Sequence, residues 1–230
     1  MGRALALKPR SAVANGETAE GLRKEILDAA AAAFMQKGYA ATSIDDVAAL
    51  LGATKGRVYH HFRSKTDLFF EVHKQAMAMD LQAVRESMEG LGSPIARLHA
   101  MARAHLLVVM REIAYQCVVV QGLEMHQAGQ TTALQRKTLR EILALRDDYE
   151  TLFAEQIAAA VAAGEIPAQD VRVVVKAFLG SLNWTTIWYR PRRAQGDGER
   201  EALAGAIADF VVRGLGAALP AVEAGGGDGR

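Results

Sequence analysis

Apolar residues recur along this chain in steps of three and four, and no stretch alternates as a strand would. Ile26, Ala30 and Phe34 begin the pattern. Ile44, Val47, Ala48 and Leu51 form a second apolar face, Val58 and Phe62 a third, and Leu68 with Phe69 a fourth. The punctuation between them is specific. Ser43 to Asp46 has the S-x-x-D capping pattern, Gly52 stops a helix, Thr54 caps the next, and Ser64 with Asp67 repeats the capping pattern. Two short helices around a tight turn are therefore expected, then a long helix from Lys65 to about Glu89 broken by Gly90 to Pro94. Further helices are expected at about 94–112, 115–126, 130–163, 168–189 and 198–218, with breaks at Gly129, Gly164 with Pro167, and Pro191 to Gly198. The fold class is all-α.

The second short helix has the surface chemistry of a DNA reader. Val58 and Phe62, four apart, must face inward, so Lys55, Arg57 and His60 face outward, with Tyr59 at the border. From Gly52 to Lys65 the basic residues are Lys55, Arg57, Arg63 and Lys65, and no acidic residue occurs. Helix starts usually favour Asp or Glu. A start of Lys, Gly and Arg offers its N–H groups to an outside anion, and DNA phosphate suits it. Gly56 costs about 1 kcal/mol of helix stability against alanine, and its missing side chain lets a phosphate or base edge approach.

Composition narrows the class. The chain has 230 residues, half of them apolar, and only five prolines, none between Pro9 and Pro94. Its net charge of +1 excludes a polyelectrolyte binder, so DNA affinity must come from local placement of basic groups. The single cysteine, Cys117, excludes an internal disulfide and suits a reducing cytoplasm. No apolar run reaches the ~18 residues of a membrane span, and the start lacks a secretory apolar region, so no membrane partner is expected.

Residues 23–77 resemble the N-terminal domain of the TetR/AcrR transcriptional regulators. The resemblance rests on Ile26, Ala30 and Phe34, Gly38-Tyr39, Thr42, the Gly52-x-Thr54-x-Gly56 turn, Tyr59-x-His61-Phe62 and Lys65-x-x-Leu68. Leu51, Ala53 and Thr54 stand where that family often has Ala, Val and Ser. The resemblance implies DNA contacts at Thr42, Thr54, Lys55, Tyr59, His60 and Lys65; Ser43, Gly56 and Arg57 join them from the local reading. His61 occupies a position usually turned away from the groove. The expected layout is a disordered arm at 1–20 carrying Arg3, Lys8 and Arg10, a helix-turn-helix domain at 21–66, a helical effector-binding and dimerisation domain at 67–220, and a disordered tail at 221–230.

The second domain holds more apolar residues than a small bundle needs. Leu98, Met101, His105 and Val108 share one stripe, Cys117 and Val120 follow, and Tyr149, Phe153 and Phe178 lie on later helices. Polar groups among them, including His105, Cys117, His126, Tyr149 and Asn183, point to a partly polar cavity for a small molecule. The run Asn183-Trp184-x-x-x-Trp188-Tyr189-Arg190-Pro191 resembles family members that sense acyl-CoA thioesters. Aromatic stacking beside Arg190, Arg192 and Arg193 would suit such an effector, and dimer packing by the two tryptophans is the alternative. The candidate effector set is Met101, His105, Cys117, Tyr149, Phe153, Phe178, Trp184, Trp188 and Arg190. The last helix carries Leu203, Ile207, Phe210, Val211 and Leu215 among Gly205, Ala206, Gly214 and Ala218; in the family the last two helices pair with their copies in a homodimer.

These readings converge on a ligand-responsive repressor. A homodimer would bind a double-stranded, palindromic operator, and an apolar or CoA-linked effector would release it by shifting the helix that starts at Lys65. One rival is a ligand-independent DNA binder of the same fold. The other is an enzyme, for which no nucleophile–base spacing, HExxH or phosphate loop appears, and no metal or cofactor is implied. His60-His61 makes a poor metal pair, because adjacent helical residues diverge by about 100°.

Overall fold

The computed structural model describes residues 19–125, 132–192 and 195–217. The basic arm with Arg3, Lys8 and Arg10, the tail at 221–230, His126, Gly129, Arg193 and Ala218 lie outside the described residues. The described elements are helices: α1 (Ala19–Ala41), α2 (Ile44–Leu51), α3 (Lys55–His61), α4 (Lys65–Ser87), α5 (Pro94–Arg111), α6 (Ile113–Met125), α7 (Ala133–Ala162), α8 (Val171–Asn183), α9 (Thr185–Trp188) and α10 (Asp197–Gly214). The chain is all-α, as its periodicity implies.

The caps set the short elements. Ser43 and Asp46 form a full capping box at the start of α2, and Gly52 ends that helix in the left-handed region at φ 67°. Within α1, Gly38 leaves the helical region at φ 74°, so the regular helix ends before Tyr39. The expected single helix over 168–189 is split at Trp184. The Thr186 hydroxyl donates to the Asn183 carbonyl at 2.7 Å, and the β-branched pair Thr185-Thr186 disfavours continuation.

The chain divides into two compact units, each assembled from two stretches: residues up to Met79 with Glu112–Arg146, and Asp80–Arg111 with the residues from Asp147 on. In the first unit Ile26, Phe34, Val47, Val58, Phe62, Leu68 and Phe69 are buried in one core, joined by Tyr115, Val118 and Ile142. Phe69 packs edge-on against Phe34 with ring centroids 5.1 Å apart. Side chains fasten α6 to α1. The Tyr115 hydroxyl donates to Asp28 at 2.7 Å; Gln121 donates to the Phe34 carbonyl at 3.2 Å and accepts from the Tyr39 N–H at 3.1 Å. Gln121 thus satisfies backbone groups that the break at Gly38 leaves open. At the start of α7, Gln135 donates to Asp67 at 3.0 Å.

The second unit has its own core, with Leu98, Met101, Leu106, Phe153, Ile157 and Leu182 fully buried. α10 packs along α5 through Ala204, Ala208, Val211 and Val212. Glu165 accepts from the Ile95 N–H at 2.8 Å and from the Ser93 hydroxyl at 2.6 Å, which caps α5.

Candidate nucleic-acid interface and effector site

Val58 is the one buried residue of α3 and pins the helix to the core. Thr54, Lys55, Gly56, Arg57, Tyr59 and His60 are exposed around it, and His61 is half-buried. The outward surface is therefore the one that the spacing of Val58 and Phe62 demands. The Thr54 hydroxyl accepts from the Arg57 N–H at 3.4 Å, so one N–H of the first turn is already bound within the chain. This is the cap at Thr54 that the sequence leads one to expect.

The cations differ in what holds them. Lys55 is exposed. Its ammonium lies 2.8 Å from Asp45 on α2 and 5.9 Å from the Tyr59 ring centroid, and the Asp45 carboxylate raises its pKa. Lys65 donates to the Tyr39 carbonyl at 2.8 Å and to the Ala40 carbonyl at 3.2 Å, with the Tyr39 ring 4.4 Å below. It ties the end of α1 to the start of α4. Thr42 is buried, and its hydroxyl donates to the Gly38 carbonyl at 2.7 Å. In this arrangement its hydroxyl braces the break at Gly38 instead of facing solvent. Ser43 is exposed but its hydroxyl is engaged with Asp46 at 2.7 Å.

The effector set separates. Met101, His105, Tyr149, Phe153 and Phe178 are buried in the second unit. His105 Nδ1 and the Tyr149 hydroxyl are 2.8 Å apart. Rings then continue inward, Tyr149 to Phe153 at 5.2 Å and Phe153 to Phe178 at 5.9 Å. Met101, four residues before His105, shares its face of α5. Burial pushes the His105 imidazole down to about 4, with Asn183 opposing in part, so it is neutral at physiological pH. Burial, aided by the negative charge of Asp80, holds the Tyr149 phenol well above its usual value.

The remaining four candidates lie elsewhere. Cys117 is half-buried on α6, in the first unit, because α6 is fastened to α1. Trp184 and Trp188 are 63% and 47% exposed, and Arg190 is exposed with its guanidinium on the Tyr189 carbonyl. The tryptophans instead join an outward apolar face. On α8 the stripe is Val173, Ala177, Gly180 and Trp184; on α10 it is Leu203, Ile207 and Phe210, the last 74% exposed. Sequence reasoning singled out the α10 side of this face but missed Val173 and Ala177, whose i, i+4, i+7 spacing to Gly180 and Trp184 was visible.

Among the described residues no group of three or more His, Cys, Asp or Glu side chains is placed to hold a metal ion. No single described helix is long and apolar enough to cross a membrane.

Comparison with known proteins covers both parts of the chain. Residues 26–72 match the family described as bacterial regulatory proteins, tetR family, and residues 91–215 match the tetracyclin repressor-like C-terminal domain. The HTH-type transcriptional repressor KstR2 of Mycobacterium tuberculosis is 26% identical over 171 residues, 74% of this chain and 82% of that protein. Among solved structures, the TetR family regulator PfmR from Thermus thermophilus is 30% identical with a TM-score of 0.69, covering 83% of this chain and 98% of that one. AibR, solved in complex with isovaleryl coenzyme A and operator DNA, is 27% identical with a TM-score of 0.68, over 84% and 97%.

Proposed function

Since this chain belongs to the TetR family of DNA-binding transcriptional regulators, it is not an enzyme, and we propose that it is a cytoplasmic, ligand-responsive repressor. A homodimer binds a two-fold symmetric operator through two copies of α3 and leaves it when a small apolar or acyl-thioester effector enters the second unit. The carrying observation is the exposed face of α3: Thr54, Lys55, Gly56, Arg57, Tyr59 and His60 around a single buried Val58. Lys55, Arg57 and Thr54 bind phosphate, while Tyr59 and His60 reach base edges. Lys65 acts mainly as a brace, and Thr42 and Ser43 position α2.

The dimer reading draws on the apolar face of α8 and α10. Val173, Trp184, Ile187, Trp188 and Phe210 are all large and exposed, which a monomer seldom tolerates in one region. Gly180, with no atom within contact distance of a would-be Cβ, leaves room for a partner helix. A second copy also supplies the second recognition helix that a symmetric operator requires. The effector reading draws on the buried ladder of His105, Tyr149, Phe153 and Phe178, and on AibR, whose structure contains an acyl-CoA together with operator DNA.

Selection of bound fragments from genomic DNA, followed by anisotropy titrations on the recovered site, tests the proposal. A palindromic site should emerge, with affinity falling steeply as salt rises, because phosphate contacts release counterions. No enriched palindrome, or a flat salt dependence, refutes it. Binding that persists through a panel of neutral, acidic and CoA-linked ligands refutes the ligand control alone.

A further inference from the structure

The charges of α7 are arranged against the usual preference of a helix. From Ala133 to Arg146 it carries Arg136, Lys137, Arg140 and Arg146 with a single acid, Glu141. From Asp147 to Ala162 it carries Asp147, Asp148, Glu150 and Glu155 and no cation. A helix start is the positive end of the macrodipole and favours acids, so Arg136 and Lys137 near the start of α7 oppose that field. Glu141 stands four residues beyond Lys137, but its carboxylate is already 2.7 Å from the ammonium of Lys74.

Within the first unit this basic stretch lies beside the start of α4. Gln135 donates to Asp67 at 3.0 Å and to the Ser64 hydroxyl at 3.4 Å, and two turns further on Lys74 meets Glu141. The two helices therefore run in the same direction here, and the cations of α7 begin at the end of α4 that directly follows α3. Gln135 and Ile142 are buried against the unit, while Arg136, Lys137 and Arg140 are exposed on the opposite face. Arg63, also exposed, precedes Ser64 in the turn after α3. The acids on this side are engaged, Asp67 by Gln135 and Glu141 by Lys74. A cationic band thus extends from the α3–α4 turn along the first turns of α7.

We propose that this face of α7 is a second DNA-contacting surface, on which Lys137 and Arg140, with Arg136, hold backbone phosphates of the duplex while α3 lies in its groove. The inference rests on the proposed operator binding and enlarges its footprint. Contacts of this kind add affinity and fix the position of the protein on the duplex, and they carry no sequence information. The acidic stretch that would repel a duplex begins only at Asp147, twelve residues beyond Gln135.

Anisotropy titrations of the full-length protein on the operator recovered from genomic DNA, with hydroxyl-radical footprinting of the same complex, test the inference. The variant is Lys137→Gln with Arg140→Gln. It removes two cations per protomer, so the slope of log affinity against log salt should become shallower by about 2–4 in a dimer. Affinity at low salt should fall at least about tenfold, and backbone positions that wild type protects should become reactive. Lys137→Arg with Arg140→Lys keeps the charge and should keep the wild-type slope. Unchanged affinity and slope in the glutamine variant overturn the inference and leave the role of α3 standing. Weaker binding with an unchanged footprint also overturns it, because the charges then act only as a distant field. Unchanged operator affinity with weaker self-association in sedimentation overturns it in favour of a second copy, whose acidic stretch of α7 is the other complementary surface. Wild type that binds no duplex removes the proposed function and this surface together.

Discussion

His105 makes stability depend on pH in a calculable way. Its imidazole titrates at 6.5 in an open chain and near 4 in the fold, because burial excludes the charged form. The unfolded chain therefore takes up a proton first as pH falls. The stability is fully present above about pH 6.5 and is lost as pH drops towards 4. The whole interval corresponds to about 3 kcal/mol, of which about 2 kcal/mol is lost between pH 7 and pH 5. Carboxylates held low by partners, such as Asp46 beside Lys37, lose stability in the same direction at lower pH. Comparison with a variant removes them. In His105→Asn the side-chain amide stands at the place of Nδ1 and can keep the hydrogen bond to Tyr149, while the titration is gone. Urea unfolding at a fixed protein concentration, at pH 7, 6 and 5, should show wild type losing about 2 kcal/mol more than this variant. Parallel losses would refute the buried, neutral imidazole. Tyr149 adds nothing in this window, since its phenol stays protonated throughout.

Other expectations are local. Lys55→Ala should weaken operator binding, and Asp45→Ala should strengthen it by about two- to fivefold by freeing the ammonium from its exposed ion pair; equal affinities by anisotropy would deny Lys55 a phosphate contact. A Cβ on Gly122 would overlap Nδ1 and Cε1 of His73, so Gly122→Ala should cost about 1–3 kcal/mol in urea unfolding. His73→Ala should relieve much of that cost, and simple additivity of the two changes would argue against the contact. Phe210→Asp should shift the protein from dimer to monomer in sedimentation experiments, and an unchanged dimer would move the interface off α10.

The short helices were legible in the sequence because their signals are local. Ser43 with Asp46, Gly52 and Thr54 determine ends and turns within a few residues, and the α3 surface follows from Val58 and Phe62 alone. The allocation of longer-range partners was not legible. Thr42 looks like an exposed cap until the break at Gly38 supplies a carbonyl for its hydroxyl. Lys65 looks like a phosphate ligand until the end of α1 arrives beside it. Trp184 and Trp188 are apolar enough for a core, yet both are exposed, Trp184 in register with Val173, Ala177 and Gly180. Cys117 shares the composition of the effector helices, but its own helix docks on α1. Burial depends on contacts across tens of residues, and periodicity along one helix carries no record of them.

We propose α7 as a route of regulation beside α4. The sequence points to the helix from Lys65 as the connection, and α4 does contribute residues to both units. So does α7, with residues through Arg146 in the first unit and from Asp147 in the second. Tyr149 and Phe153 of the effector ladder stand on the same continuous helix as Gln135, which donates to Asp67 in the first turn of α4. Gln135 is buried and also caps its own helix, accepting from the Thr132 N–H at 3.0 Å. We propose that a displacement of α7 on effector binding would reach the first turn of α4 through this bond. In Gln135→Leu the shape is nearly kept while the side-chain hydrogen bonds to Asp67, Ser64 and the Thr132 N–H are lost. Operator affinity should change less than threefold, while the ratio of affinities with and without effector should shrink by about fivefold, a coupling change of about 1 kcal/mol. If that ratio is unchanged, α4 alone carries the signal, and the fastening of α7 to its first turn serves only stability.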